Sequence, residues 1–218
     1  AFAMGALVVV NTYVSQHMGA RRPERVARYL WGGLYISLVV WVLVLIPWAV
    51  VLPWFFEHVV HAGHRIENMD RLIELESEYG QILLLGGLFT IGARSVHQFF
   101  FGIMRPKVVT ISVIIGNLVN VVLNYLLIFG EEGLPAVGLS GVPGIPALGV
   151  HGAAIGTAAG VFVEMLIPFL VFLGPRCHRA FGSRTSWRPH WGTIKELIRL
   201  GWPGSLVSGN EIVCWSIF

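Results

Sequence analysis

The chain has 218 residues, of which 55% are hydrophobic and 12% charged, with a formal net charge of +3. Soluble domains carry about 25% charged residues, so this composition excludes an ordinary cytosolic globule, and its high hydrophobicity excludes an intrinsically disordered chain. The two cysteines, Cys177 and Cys214, are too few for a secreted domain built on disulfides. We therefore predict an all-α integral membrane protein, a polytopic helical bundle.

Six long apolar stretches follow one another along the chain and predict six membrane helices. Of the 15 basic and 12 acidic residues, three fall inside these stretches, namely Arg94, Glu164 and Glu211. A helix needs ~20 residues to cross a hydrocarbon core of ~30 Å, and the alternating pattern of a membrane β-strand is lacking. The predicted spans are residues 1–20, 29–52, 80–104, 108–130, 151–173 and 200–218.

The first and last stretches reach the two ends of the sequence, so we expect both to be truncated membrane helices. No basic segment or cleavage site precedes the first stretch, which is therefore not interpreted as a signal peptide. All 218 residues are predicted to form one transmembrane domain.

The loops between the stretches differ sharply in their content of Lys and Arg. Loops 21–28, 105–107 and 174–199 together contain twelve such residues, whereas 53–79 contains two and 131–150 none. Because Lys and Arg accumulate in cytoplasmic loops, we predict that the three basic loops face the cytoplasm at the inner (plasma) membrane. Contact with anionic lipid explains the positive charge, and we expect no nucleic-acid partner.

The two loops on the other side are predicted to differ in kind. Residues 130–150 are rich in Gly and Pro, which indicates a structured turn region rather than a helix. In the segment 65–78, apolar residues recur at helical spacing among acidic residues, namely Ile66, Met69, Leu72 and Ile73. This pattern predicts a short helix at the membrane interface.

Glu211 is the strongest functional candidate among the ionisable residues within the predicted spans. Its stretch enters from the predicted cytoplasmic side near Gly201, and ten residues at ~1.5 Å each put Glu211 about 15 Å deep. Secondary transporters place their coupling sites at this depth. A protonated glutamate that only joins neighbouring helices fits the position as well.

Asn120 and Asn124 are four residues apart and therefore share one face of a predicted helix. Their carbonyl oxygens suit the coordination of Na⁺, and hydrogen bonding between helices is the alternative role. In the next stretch, Gly152, Gly156 and Gly160 repeat every four residues. This small-residue pattern predicts close approach to a neighbouring helix.

Three further polar residues within the spans, Arg94, His97 and Glu164, are predicted to line an aqueous cavity. Ionisable groups inside a membrane usually face a cavity or a partner, because contact with lipid is unfavourable. A buried pair between Arg94 and Glu164 is a second interpretation, since the sequence does not show whether their helices are neighbours.

His58, His61 and His64 form a regular series in the loop 53–79. Imidazoles at such spacing can bind Zn²⁺, but no carboxylate stands beside them in the frame of a metalloprotease helix. We interpret them mainly as solvated loop residues and expect no metal.

Five ordered motifs run through the chain, at residues 14–20, 105–107, 120–130, 148–157 and 200–211. They resemble, in turn, the end of the second helix, the basic turn between helices four and five, the fifth-helix motif, the start of helix six, and helix seven of the multidrug and toxin extrusion (MATE) family of secondary transporters. By this resemblance the chain covers about helices two to seven of twelve.

The resemblance implies two six-helix bundles around a central cleft, and antiport of amphipathic, cationic organic compounds against Na⁺ or H⁺ without another cofactor. It implies that Glu211 is the helix-seven acid required for cation coupling, and that Asn120 and Asn124 belong to a cation site in the N-terminal lobe. The family's first helix, with its aspartate, and the C-terminal lobe are missing from the sequence, so the implied site is incomplete here.

Three other functions are compatible with the residues. A lipid-linked saccharide flippase of the same superfamily usually has basic cavity residues, for which Arg94 is the clear candidate. A membrane metalloenzyme would use the three histidines described above. A structural membrane subunit would leave Glu211 without a role. We expect a transporter rather than an enzyme.

Overall fold

The computed structural model describes residues 2–61, 69–131, 133 and 140–217. Within these ranges the chain consists of helices and turns, and no β-strand is found there. The α-helices of the described residues are α1 Phe2–Gly19, α2 Val26–Val40, α3 Ile46–Phe55, α4 Met69–Gly102, α5 Pro106–Phe129, α6 Val150–Leu173, α7 Pro175–Phe181 and α8 Trp191–Ile217.

Helices α2 and α3 belong to one helical stretch of 38 residues, Pro23–Val60. Two wider π-helical turns, Trp41–Leu45 and Phe56–Val60, interrupt its α-helical pattern. Pro47 is the second residue of α3 and has no backbone N–H to donate to the carbonyl four residues earlier. That carbonyl lies within the first π-helical turn. Such turns occur mostly as single-turn bulges inside α-helices.

The predicted loop 53–79 is much shorter than expected, because the helices on both sides extend into it. The separate interfacial helix predicted at 65–78 is wrong, since its residues from Met69 onward form the first turns of α4. The acidic and apolar residues there are helix formers, and no proline separates them from the span. Residues 62–68 lie outside the described part of the chain.

The predicted loop 174–199 also contains helical structure. Helix α7 begins with Pro175 at its first position and ends at Gly182, which adopts a left-handed conformation with φ of +66°. Proline at the start and glycine just past the end are typical helix boundaries. Helix α8 then begins at Trp191, nine residues before the predicted start of the last span.

Four helical stretches of the described residues are long and apolar enough to cross a membrane. They coincide with the second to fifth predicted spans, although each boundary differs by some residues. Helices α1 and α8 lie at the first and last predicted stretches, whose membrane crossing stays a prediction. The four stretches are Pro23–Val60, Met69–Gly102, Pro106–Phe129 and Val150–Leu173.

The chain divides into two compact units. Unit 1 consists of Ala1–Val40, Thr90–Val113 and Glu164–Phe218, and unit 2 of Trp41–Phe89 and Ile114–Val163. All three basic loops belong to unit 1, and both loops predicted on the opposite side belong to unit 2.

An aromatic cluster forms the centre of unit 1. The ring of Phe99 makes edge-to-face contacts with Phe100, Phe172 and Phe181, at centroid distances of 5.3, 5.0 and 5.8 Å. Edge-to-face geometry pairs the positive ring edge with the negative face of its neighbour. Since lipid tails are as apolar as these side chains, close packing rather than exclusion of water stabilises such a cluster in a membrane.

Small residues bring helices of unit 1 into backbone contact. A Cβ atom on Gly5 of α1 would lie 2.5 Å from the Gly204 carbonyl oxygen of α8. Between α2 and α4, the Ser37 hydroxyl donates to the Gly33 carbonyl at 2.8 Å and lies 3.4 Å from the Ser95 hydroxyl. Small residues, glycine and serine, therefore allow the close packing of α1 against α8 and of α2 against α4.

In unit 2, α5 and α6 pack along the glycine series, as the sequence predicted. The position of a Cβ on Gly152 overlaps the Leu127 carbonyl, and one on Gly156 overlaps the Asn124 amide. A Cβ on Gly160 would lie 2.7 Å from the Asn120 Cβ. Because these glycines lack a side chain, the two asparagines of α5 lie directly against the α6 backbone.

The described residues of the region 130–150 are not helical before Val150, which confirms the predicted turn region. Gly130 ends α5 with a φ of +46°, a conformation that glycine adopts without steric cost. The returning chain is held by backbone hydrogen bonds from Val142 to the Gly130 carbonyl and from Leu148 to the Leu127 carbonyl, both 2.8 Å.

Candidate functional site

Asn120, Asn124 and Thr157 form a chain of hydrogen bonds between α5 and α6. The Asn124 Nδ2 donates to the Asn120 Oδ1 at 3.3 Å, and the Asn120 Nδ2 donates to the Thr157 Oγ1 at 3.3 Å. The Thr157 hydroxyl in turn donates to the Ala153 carbonyl at 2.8 Å. All donors thus point the same way along the chain, and the amide oxygen of Asn124 is left at its end.

The Asn124 Oδ1 is buried and has no hydrogen-bond partner among the described residues. A buried carbonyl oxygen without a donor is unfavourable by about 1–3 kcal/mol. Such an oxygen can accept a hydrogen bond from water or a protonated group, or it can coordinate a cation. The network therefore presents one free acceptor inside a predicted membrane span.

Both asparagines predicted to bind a cation are thus brought together, as their spacing on one helix face indicated. Thr157 was not predicted as a site residue, although it belongs to the motif at 148–157. Its polar side chain directly after Gly156, in a series of small residues, is the sequence signal that could have identified it.

Glu211, the predicted coupling acid, lies in α8 of unit 1. The structure describes the backbone of this residue but not its side chain. Asn120 and Asn124 belong to unit 2. The assignment of Glu211 to the cation site therefore stays a prediction.

Two of the three predicted cavity residues, His97 and Glu164, form a pair in unit 1. The His97 Nε2 lies 3.7 Å from the Glu164 Oε1, and 10% and 24% of the two side chains are exposed. This separation is too long for a hydrogen bond, and the His97 Nε2 has no other partner in the described residues.

The alternative pair between Arg94 and Glu164 is not formed in the described part of the chain. Arg94 is exposed, whereas His97 is buried. Three residues correspond to about 300° around a helix, so the two side chains leave α4 in directions about 60° apart. The sequence could place Arg94 and His97 on one helix but could not show which of them meets α6.

Two of the three histidines in the predicted loop 53–79, His58 and His61, have hydrogen-bond partners within the protein. The His61 Nε2 lies 2.7 Å from the Glu76 Oε2, and the His58 Nδ1 donates to the Trp54 carbonyl at 3.1 Å. His64 lies outside the described residues. Within the described ranges no three His, Cys, Asp or Glu side chains are grouped as a metal site would require.

A second histidine–carboxylate pair in unit 2, not predicted from the sequence, joins His151 of α6 to Glu78 of α4. Together with His61 and Glu76, it links histidines at two helix ends to the acidic first half of α4. Both partners are distant in sequence, so no local pattern signals them.

The family of the chain follows from its sequence and agrees with this architecture. The family model of MatE matches residues 1–126, more than half of the sequence. The chain belongs to the MatE family. Its membership confirms the resemblance to the MATE family that the sequence motifs indicated.

This MatE chain is similar to the "Probable multidrug resistance protein NorM" of Neisseria meningitidis serogroup A / serotype 4A, with 23% identity over 209 residues. The similarity covers 92% of this chain and 40% of that relative. The chain therefore spans about two fifths of the length of the curated relative that it matches.

Two solved structures share the fold of this MatE chain. Both are described as multidrug resistance MATE family transporters of the MOP superfamily, one inward-facing and one outward-facing. Each has a TM-score of 0.72 and 21% identity, with 94% of this chain covered and 42% and 41% of the respective structures. These likenesses confirm the predicted all-α membrane fold, which is common to structures in both conformations.

Proposed function

We propose that the full-length protein is a cation-coupled antiporter that exports amphipathic, cationic organic compounds across the inner membrane in exchange for Na⁺ or H⁺. Membership of the MatE family supports transport, and the multidrug resistance named for its relatives supports drug-like substrates. The three basic loops are assigned to the cytoplasmic side, following the distribution of Lys and Arg.

The observation that carries the proposal is the free amide oxygen of Asn124 at the end of the hydrogen-bonded chain. In the proposal this oxygen and the Asn120 amide provide neutral ligands for the coupling cation. Both amides stay neutral within the physiological pH range. The negative charge that balances the cation therefore comes from an acid. Glu211 is assigned that role because of its depth in the last span.

His97, Glu164 and Arg94 are assigned to the wall of an aqueous pathway in unit 1. A buried imidazole beside a carboxylate can hold or release a proton, and the Arg94 side chain is exposed. Ionisable groups at such positions mark substrate or ion pathways in membrane proteins. Coupling then requires that cation and substrate bind the inward and outward states with different affinities.

The decisive experiment follows a fluorescent cationic dye in everted vesicles that contain the full-length protein. A Na⁺ gradient and then a pH gradient are imposed on the wild type, on Glu211→Gln and on the control Glu24→Gln. Glu24 is an exposed glutamate of the basic loop 21–28, so its variant removes the same charge. We expect dye movement to be lost in Glu211→Gln and retained in Glu24→Gln.

The two gradients identify the coupling ion, because only the gradient of that ion drives dye movement. Undiminished transport by a stably inserted Glu211→Gln protein would contradict the assignment of the coupling acid. Absence of dye movement under either gradient in the wild type would contradict the antiporter and favour the flippase. Lipid-linked saccharides would then be the substrates to test.

A further inference from the structure

The start of the helical stretch Pro23–Val60 and the first two turns of α8 line an open polar cavity of about 250 Å³ in unit 1. Arg25 and Arg28 line one side of it, and His190 and Trp191 line the other. Neither arginine forms an ion pair in the described part of the chain, so both guanidinium groups are available to a ligand.

The one carboxylate that lines this cavity, Glu196, is engaged by a neighbouring side chain. Its Oε2 accepts a hydrogen bond of 2.8 Å from the Tyr29 hydroxyl, which lies 2.9 Å from the His17 Nε2. The two positive charges of the arginines therefore exceed the single negative charge of Glu196 in the cavity lining. Planar guanidinium groups bind phosphate oxygens through paired hydrogen bonds, so the cavity suits an anionic phosphate.

A second cavity, of about 490 Å³, follows directly along the same two helices. Its α8 wall is an apolar stripe at helical spacing, formed by Trp191, Ile194, Ile198 and Trp202, and its α2 wall includes Val39. From Trp191 to the last lining residue of α8, Ser205, the groove is about 21 Å long at ~1.5 Å per residue. This length is comparable to that of one extended acyl chain.

Trp191 lines both cavities and is 79% exposed. An amphipathic indole at such a junction is typical of the boundary between headgroups and hydrocarbon. The charged cavity therefore opens beside an apolar groove at the end of the chain's basic loops, where anionic lipid headgroups are concentrated in a cytoplasmic leaflet.

We propose that these two cavities form one binding site for an anionic glycerophospholipid. The phosphate binds between Arg25 and Arg28, and one acyl chain lies in the groove between α2 and α8. A free phosphate would leave the apolar groove without an occupant. A neutral lipid would leave both arginines without a counter-ion. The proposal does not depend on the identity of the transported compound.

The test measures binding of phosphatidylglycerol and phosphatidylcholine to the purified full-length protein in detergent by native mass spectrometry. The variant Arg25→Gln/Arg28→Gln removes the two pocket charges. The control Arg176→Gln/Arg179→Gln removes two exposed charges from α7, outside both cavities. Since each arginine near an anionic lipid contributes about 1 kcal/mol, we expect the pocket variant to bind phosphatidylglycerol roughly tenfold or more weakly.

The control should bind phosphatidylglycerol as the wild type does, and all three proteins should bind phosphatidylcholine equally weakly. An equal loss in the control would show attraction by general surface charge and would overturn the site. Unchanged binding in the pocket variant would overturn it as well. Displacement of the lipid by millimolar glycerol phosphate would identify a site for soluble phosphate and contradict the lipid proposal.

The acyl chain is tested with phosphatidylglycerol whose chains carry bromine, a quencher of tryptophan fluorescence. The lipid should quench the wild type more strongly than Trp191→Phe/Trp202→Phe, which lacks both groove indoles. The control is the double variant Trp48→Phe/Trp54→Phe, because it also removes two tryptophans. Both of these indoles are exposed and lie outside the groove. Equal fractional quenching in both double variants would show that the groove holds no lipid chain and is covered by another part of the protein.

Discussion

The imidazole of His97 and the carboxylate of Glu164 face each other across α4 and α6 at 3.7 Å, without another partner for the His97 Nε2 in the described residues. A small movement of either helix, or one bridging water, would complete the contact. Each side chain makes the burial of the other less unfavourable, because an isolated ionisable group inside a membrane is poorly tolerated.

This pairing predicts energetic coupling between the two residues. In a double-mutant cycle of His97→Gln and Glu164→Gln, we expect an interaction of about 1 kcal/mol, because directly contacting groups are not additive. Thermal or denaturant unfolding of the purified full-length protein measures it. The same cycle with Arg94→Gln and Glu164→Gln should be close to additive. Greater coupling to Arg94 would show that the sequence-based alternative pair is the real one.

The free oxygen of Asn124 predicts a specific transport defect. Asn124→Leu removes the acceptor while it keeps a similar volume, so we expect the cation concentration for half-maximal transport to rise roughly tenfold, equivalent to about 1.4 kcal/mol. Asn124→Asp retains an oxygen at this place and should transport better than the leucine variant. Equal activity of the two variants would contradict a ligand role for this oxygen.

The glycine series of α6 predicts a steric defect at Gly160. Its Cβ would lie 2.7 Å from the Asn120 Cβ and 2.9 Å from the Gly116 carbonyl, so Gly160→Ala should lower the free energy of unfolding by about 1–3 kcal/mol. Gly19→Ala is the control, because nothing lies within 4 Å of its Cβ position. A matching thermal stability of both variants would mean that α5 and α6 separate easily.

Cys177 of α7 is predicted to react slowly with thiol reagents. Its side chain is buried, and burial raises the pKa of the thiol, an effect partly opposed by the positive charge of Arg105. Because the thiolate is the reactive form, less of it is present at neutral pH than for an ordinary cysteine. Maleimide labelling should accelerate as the pH rises. Rapid, pH-independent labelling would contradict the buried position.

The side of the membrane that the basic loops occupy is tested at Arg179, an exposed residue of α7. In a Cys177→Ser background, Arg179→Cys should react with a membrane-impermeant maleimide in everted vesicles. Right-side-out vesicles should protect it. The reverse pattern would place the basic loops outside the cell.

Local patterns were sufficient to predict the long apolar helices and the shared helix face of Asn120 and Asn124. Apolar length identified the spans, and a spacing of four residues placed both amides on one face. Helix ends were predicted less well, because polar residues such as those after Met69 continue a helix beyond the apolar segment. A hydropathy boundary marks where the apolar residues end, and a helix ends where its backbone hydrogen bonding stops.

Contacts between distant segments could not be predicted in this way. Nothing near His97 in the sequence identifies Glu164 as its partner, and the lipid groove joins α2 to α8, which are separated by more than a hundred residues. Such pairs depend on how helices assemble, which a single sequence does not record. The polar residues themselves were recognisable, but their partners were not.

The glycine contacts between α5 and α6 restrict how these helices can move. Each of Gly152, Gly156 and Gly160 packs against a different backbone or side-chain group of α5. If α6 slid along α5, all three contacts would have to break at once. The two helices are therefore locked in axial register. Any conformational change of the protein therefore moves these two helices together, and the Asn124 oxygen keeps its immediate surroundings throughout.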